Sequence, residues 1–311
     1  MTSYPRNFGA MLHAFLDGWK PNQETIDFQH MDKRVDPETG RKTTIHGPWV
    51  PCKSLRDIIR LAQVWPIWDN YITVQRFTKW ETRGRESFSD HDSYVLDRIY
   101  TDEDPVEGVQ DCLANLPKYR RMQDDLEVNG RSCVWITSSG RGIHSYTYLT
   151  RPVNAKLGQE LQDILGYVYN LNLDYWKPIT RAGMMRLPYS KNSRTGTWVL
   201  YVGRNMTLSG IRNAMRSTLE GDGCHWDYPA RIPPERILEM SPGESALKEY
   251  REKKREQALQ KIKRNEERRV AEITALLNEG KTLEQAAAEL GFVDARYVRR
   301  WTNVVDLEGH I

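Results

Sequence analysis

Two strand-forming stretches, Ser132–Ser138 and Ile143–Leu149, flank the turn Ser139-Gly140-Arg141-Gly142 and constrain the fold more than any other feature. Short apolar runs bounded by turn residues read as strands. So brief a connection makes them antiparallel neighbours, since parallel strands need a crossover of a dozen residues or more. The same signal recurs on either side. Residues 70–78, Asn-Tyr-Ile-Thr-Val-Gln-Arg-Phe-Thr, read as one strand, Ser93–Thr101 as another, and Met184–Leu187 and Thr197–Val202 as two more. Val106 to about Leu126 and Asn154–Leu171 carry helical spacing, with Pro105 suited to the first turn. Residues of about 65–240 are therefore expected to form an α+β (α/β) domain around a mostly antiparallel sheet.

The flanks differ in kind. Before residue 60 a short helix is expected at Ala10–Asp17, and Asp36-Pro37-Glu38-Thr39-Gly40-Arg41-Lys42 reads as an exposed hairpin or flexible arm. Ser54–Gln63 has helical spacing with Ser54 as N-cap. From Glu244 strand formers give way to a charged helical run, Lys248–Arg269. Ala271–Asn278, a turn at Gly280, Leu283–Leu290, a turn at Gly291 and Asp294–Val304 then read as three helices. The expected organisation is a large domain over 1–240, a charged helical linker over 241–269 and a small all-α module over 270–311.

Bulk properties exclude several classes. With 39% hydrophobic and 28% charged residues in 311, the chain is neither disordered nor fibrous. Without a run of eighteen apolar residues or a secretory pattern in Met1-Thr2-Ser3-Tyr4-Pro5-Arg6, no membrane partner and a cytoplasmic location are expected. The four cysteines are far apart, which argues against a zinc knuckle or a disulfide framework. Cys224-His225 near Asp222 and Asp227 reads as a metal set or as a loop, and Gly221 and Gly223 favour the loop. A net charge of +3 decides nothing about nucleic acid; the basic residues concentrate in 248–269 and 296–300.

Three ordered motifs carry candidate chemistry. Tyr100-Thr101-Asp102-Glu103-Asp104 ends a strand, and residues two apart on a strand share a face, so Asp102 and Asp104 can reach one metal cluster. Mg²⁺ and Mn²⁺ take such oxygen ligands with substrate phosphates. An acidic turn after a strand is the plainer reading. Ser139-Gly140-Arg141-Gly142-Ile143-His144 offers small residues whose backbone can approach an anion, plus a cation and a histidine. It reads equally as an ordinary glycine hairpin. Arg186-Leu187-Pro188-Tyr189-Ser190 running into Lys191, Arg194, Thr195 and Gly196 puts cations and hydroxyls on a turn that suits a triphosphate or a template backbone, or that is simply solvated.

In this order, Asp-x-Asp, Ser-Gly-x-Gly-x-His and Arg-x-Pro-x-Ser with Thr-Gly resemble the archaeo-eukaryotic primase superfamily over about residues 65–205. The resemblance implies an RRM-like primase core with an additional N-terminal α/β unit. It also implies Mg²⁺ or Mn²⁺ on Asp102 and Asp104 and nucleoside triphosphates contacted by His144. Ser139, Gly140, Arg141 and Gly142 would form a phosphate cradle, and Arg186, Ser190, Lys191, Arg194 and Thr195 would line the site. Family members usually carry a third metal-binding acid about six residues before the arginine of the third motif. Thr180 stands there, and Asp174, six residues further upstream, is the nearest acid.

Thr282–Phe292 followed by Asp294–Trp301 resembles a helix-turn-helix, with Gly291 at the turn and Asp294 as cap. Arg296, Tyr297, Arg299 and Arg300 would face DNA from the second helix; a helical packing module is the alternative. The function expected is a primase or primase-polymerase of a virus or mobile element acting on single-stranded DNA in the host cytoplasm, with a replicative helicase as a further candidate partner. An end-joining-type repair polymerase and a non-catalytic DNA-binding replication initiator or regulator are the alternatives.

Overall fold

The computed structural model of the chain describes residues 4–35, 42–65, 68–83, 86–90, 92–103, 112–140, 142–173, 183–193, 195–217 and 224–290. In chain order the elements are α1 (Phe8–Phe15), β1 (Ile26–Val35), β2 (Lys42–His46), β3 (Val50–Cys52), α2 (Leu55–Val64), β4 (Asn70–Thr73), β5 (Arg76–Phe77), β6 (Trp80–Arg83), β7 (Glu86–Ser89) and β8 (Tyr94–Glu103). A 3-10 turn at Cys112–Asn115 precedes α3 (Leu116–Asp125), β9 (Val134–Ser138), β10 (Ile143–Val153), α4 (Ala155–Val168), β11 (Met184–Arg186) and β12 (Leu200–Tyr201). Among the described residues α5 (Leu208–Arg216), α6 (Pro234–Leu238), α7 (Glu244–Asn278) and α8 (Leu283–Leu290) follow.

The chain is α+β, and its described residues form two five-stranded sheets. One runs β12-β9-β10-β8-β5; the other runs β11-β4-β1-β2, with β3 also on β1, while β6 and β7 form a hairpin of their own. The ladders of β8 and β9 with β10, β9 with β12, β5 with β8, β1 with β3 and β4, and β4 with β11 are all antiparallel. Tight turns account for the β9–β10 pair, and β-branched and aromatic side chains fill its core positions, from Val134, Trp135 and Ile136 to Tyr146 and Tyr148. Phe15 of α1 meets Trp135 and Tyr146 edge-on at 5.5 and 4.8 Å. Gln162 of α4 donates to the Tyr100 carbonyl at 2.7 Å, which fastens that helix to β8.

Local signals set most helix starts. The Ser54 hydroxyl accepts from Asp57 N while the Asp57 carboxylate accepts from Ser54 N, a complete capping box for α2. Asn154 caps α4 through Leu157 N, and Thr207 caps α5 through Gly210 N. Pro117 stands in the first turn of α3; Pro105 lies outside the described residues. The expected strand over 70–78 is two strands in different sheets. Val74 N–H donates to Gly183 O and the Gln75 side chain takes the Gly183 N–H, so the chain leaves the β4 ladder before β5 joins β8.

Two compact units emerge, Met1–Met31 with His46–Arg251, and Asp32–Ile45 with Glu252–Ile311. Residues 244–278 form one continuous helix of 35 residues, so the chain runs unbroken through position 269, where the composition had suggested the end of a linker. Within the second unit α8 packs on the end of α7 through Ile273, Leu277, Leu283, Ala287 and Leu290. Gly280 makes the turn at φ +80°, and Thr282 and Gln285 exchange hydrogen bonds as a capping box for α8. Arg296, Tyr297, Arg299 and Arg300 of the expected following helix lie outside the described residues.

Candidate active site

Antiparallel register builds the site. His144 near the start of β10 lies directly opposite Asp102 near the end of β8, and its Nε2 is 3.3 Å from Asp102 Oδ1. Cross-strand partners project to the same face, so the first two motifs meet through the strand pairing itself. Asp102 is almost wholly buried and His144 mostly so, while His144 Nδ1 is buried with no hydrogen-bond partner among the described residues. Neighbouring Glu103 projects the other way, as strand alternation requires. Its Oε1 accepts from Asn172 N at 2.8 Å and lies 3.6 Å from Lys118 Nζ. Its backbone bridges Leu173. Asp104 lies outside the described residues, as do Asp174, Thr180, Arg141 and Arg194.

The glycine turn is latched to the third motif. Gly140 has φ +76°, a conformation that favours glycine, and its N–H points to the Ser138 hydroxyl at 3.3 Å. The Ser138 hydroxyl also donates to Gly142 O at 3.2 Å, closing the turn. The Ser139 carbonyl accepts from the Thr195 hydroxyl at 3.1 Å and from the Thr197 hydroxyl, and Asn192 Nδ2 donates to Ser139 Oγ at 3.2 Å. Ser138, Asn192 and Thr197 were not among the expected site residues. Their signal was position alone, one residue before the glycine motif and inside the hydroxyl-rich turn.

The segment leading into the third motif also approaches the first. A Cβ on Gly183, at the entry to β11, would fall 2.4 Å from the Tyr100 hydroxyl, two residues before Asp102 on the same strand. Not every expected ligand group faces outward, however. Arg186 is buried, ion-paired with Asp69 and 5.0 Å from the Tyr71 ring. The Ser190 hydroxyl is buried and donates to Leu187 O at 2.7 Å. Lys191 Nζ lies between two indoles, 5.2 Å from the Trp68 ring and 4.7 Å from the Trp198 ring. The structure thus brings together Asp102, His144, Ser139, Gly140, Gly142, Lys191 and Thr195, and uses Arg186 and Ser190 to shape the turn that carries them.

Among the described residues no group of three or more His, Cys, Asp and Glu converges as a metal site. Asp102 offers a hard carboxylate oxygen near the end of β8 on the face that His144 shares, with Asp104 two positions on in the sequence. Mg²⁺ and Mn²⁺ are commonly held by one or two carboxylates plus substrate phosphates, and this donor set fits such an ion better than an all-protein cage. Among the described residues Cys224 joins no metal cluster; it is buried, burial pushes its thiol up, and its backbone N–H and C=O are held by the Asn7 side chain.

In fold, the chain is similar to the AEP domain of the cyanophage S-2L primase-polymerase, at 13% identity and a TM-score of 0.44, over 77% of this chain and 100% of that one. It is also similar to the primase RepB', at 11% identity and a TM-score of 0.36, over 91% of this chain and 85% of that one. A further similar structure is the polymerase domain of Mycobacterium tuberculosis Ligase D in complex with DNA, at 16% identity and a TM-score of 0.38, over 75% and 85% of the two chains. No protein-family model and no curated protein sequence matches the chain.

Proposed function

We propose that this chain is a metal-dependent nucleotidyltransferase of the primase or primase-polymerase kind, which makes or extends primers on single-stranded DNA from nucleoside triphosphates. The observation that carries the reading is the Asp102–His144 pair at the root of a glycine turn that is itself latched to the 190–197 turn. A strand-end carboxylate, a glycine-rich turn and a cation-bearing turn within one sheet region are parts that template-directed phosphoryl transfer can use.

Asp102 and Asp104 would hold Mg²⁺ or Mn²⁺, which supplies charge stabilisation at the attacking 3′-oxygen and the departing pyrophosphate. His144 directs Nε2 at Asp102 and so fixes the orientation of that carboxylate. The Ser139–Gly142 backbone, free of bulky side chains at Gly140 and Gly142, admits a phosphate close to the chain, and Lys191 adds positive charge at its edge. Asp174 is the candidate third acid. Supporting this, its neighbour Leu173 bridges Glu103, the residue after Asp102. We place DNA contacts of the C-terminal module on Arg296, Tyr297, Arg299 and Arg300.

The test is synthesis on a single-stranded template with nucleotides and Mg²⁺ or Mn²⁺, with and without a primer. Wild type is expected to form products without a primer. Asp102→Ala/Asp104→Ala should lose more than the roughly 10–100-fold that removing an outer-shell metal partner costs. Extension restricted to primed templates would move the assignment to a repair polymerase. DNA binding without product under either metal would overturn catalysis and leave a replication initiator or regulator.

A further inference from the structure

We propose that Trp65 and Trp68 form a stacking platform for the bases of single-stranded DNA, leading into the latched turns; this rests on the nucleic-acid reading above. Both indoles are more than a third exposed, at 37% and 36%, and so keep ring surface open to a ligand. Neither is loosely held. Trp65 follows α2 directly and stacks on His30, with ring centroids 5.0 Å apart and planes 10° from parallel. His30 Nδ1 is in turn 2.9 Å from Asn70 Oδ1, and Asn70 Nδ2 donates to the Tyr4 hydroxyl at 2.9 Å. The indole is therefore oriented before any ligand arrives, which lowers the ordering cost of binding.

Trp68 is fixed from the other side. Its backbone bridges Lys191, Asp69 N donates to Lys191 O at 2.8 Å, and the Lys191 ammonium lies over its ring. Flat π-faces next to a cation are what sequence-tolerant binding of single strands uses, with bases on the rings and phosphates on the charge. The platform is also continuous with the site. Lys191 adjoins Asn192, and Trp198, the second ring under its ammonium, adjoins Thr197; both neighbours hold Ser139. An apolar protein partner covering Trp68 would have to desolvate the ammonium that shares its ring, whereas a phosphodiester neutralises it. That charge complementarity selects nucleic acid as the occupant.

The experiment titrates the full chain with a fluorescently labelled oligothymidylate and, separately, with a duplex of mixed sequence. Trp65→Ala and Trp68→Ala are each expected to weaken oligothymidylate binding about tenfold, as loss of one base–aromatic stack does. Trp68→Phe should recover most of the loss, which separates stacking from misfolding. Neither tryptophan variant should change the dependence on salt, whereas Lys191→Ala should lower the log–log salt slope by about 0.7. Duplex affinity should be insensitive to the tryptophans, because paired bases offer no open face. Asp102→Ala/Asp104→Ala should bind oligothymidylate as wild type does, so failure of catalysis and failure of the platform are read separately. Unchanged affinity in Trp65→Ala/Trp68→Ala, no oligothymidylate binding by wild type, or a wild-type dimer that these substitutions dissociate would each overturn the proposal.

Discussion

Gly140 does conformational work that another residue would do badly. A Cβ there would meet Thr197 Oγ1 at 3.5 Å and Met215 Sδ at 3.6 Å, ordinary contacts, so space is not the obstacle. The obstacle is φ +76°, which costs an L-residue about 1–2 kcal/mol. Gly140→Ala should therefore lower the urea-unfolding free energy by about that amount, and Gly140→Asn by less, because Asn tolerates the left-handed region. If Ala were neutral, the turn would not be held as described. At this scale the sequence was informative wherever chemistry and conformation coincide in neighbouring residues, as in the glycine turn or the Asp102 strand end. It was uninformative where a partner is distant: Arg186 finds Asp69 117 positions away, and only the fold shows that its charge is already matched. Ser190 misled for the opposite reason, since its hydroxyl turns back to Leu187, three residues earlier, instead of outward.

Between elements, one buried ion network anchors the strand that carries Asp102. Arg76 of β5 pairs with Glu24 at 2.7 Å and with Asp97 of β8 at 2.8 Å. Asp97 also lies 3.2 Å from Arg231, which binds Asp17 beyond α1 at 2.8 Å. Arg98 of the same strand donates to Phe15 O at 2.7 Å. Asp97 is thus the carboxylate shared by two guanidinium groups, one of them buried. Asp97→Asn would leave that charge under-compensated and should cost about 3–5 kcal/mol, measured as a fall in the urea midpoint. The exposed Arg151–Glu235 pair makes the control, and Arg151→Ala should move the midpoint little. A small effect of Asp97→Asn would mean that water reaches the network. None of it was legible beforehand, because its members come from sequence positions 17 to 231. Helix caps were legible, since Ser54 and Asp57 complete their box within four residues. The single strand expected over 70–78 failed because nothing local in Val74 or Gln75 announces that Gly183 will take their hydrogen-bonding groups.

Across the whole molecule, buried groups that must stay protonated set an alkaline limit on stability. Cys52, Cys133 and Cys224 are free and buried, and desolvation raises all three thiols, Cys133 from 9.0 to about 12. Desolvation likewise raises the phenols of Tyr119, Tyr146 and Tyr148, all buried, above their ordinary value of 10.0. In the unfolded chain the thiols lose protons near pH 9 and the phenols near pH 10; in the folded chain they retain them. Above about pH 9 the unfolded state therefore binds fewer protons, and stability falls as pH rises. Their contribution is complete below the unfolded values and is lost progressively as pH climbs towards the folded ones. The urea midpoint should accordingly stay level in this respect from pH 7 to about 8.5 and then decline steeply to pH 10.5, with several groups adding to the slope. Thiol labelling offers an independent reading of the same physics. At pH 8 these three cysteines should react far more slowly than a cysteine in a short peptide, and their labelling should accelerate in step with unfolding as urea is added. Peptide-like labelling of the native chain would show that the thiols are reachable and that the core around β3, β9 and residue 224 is open to solvent.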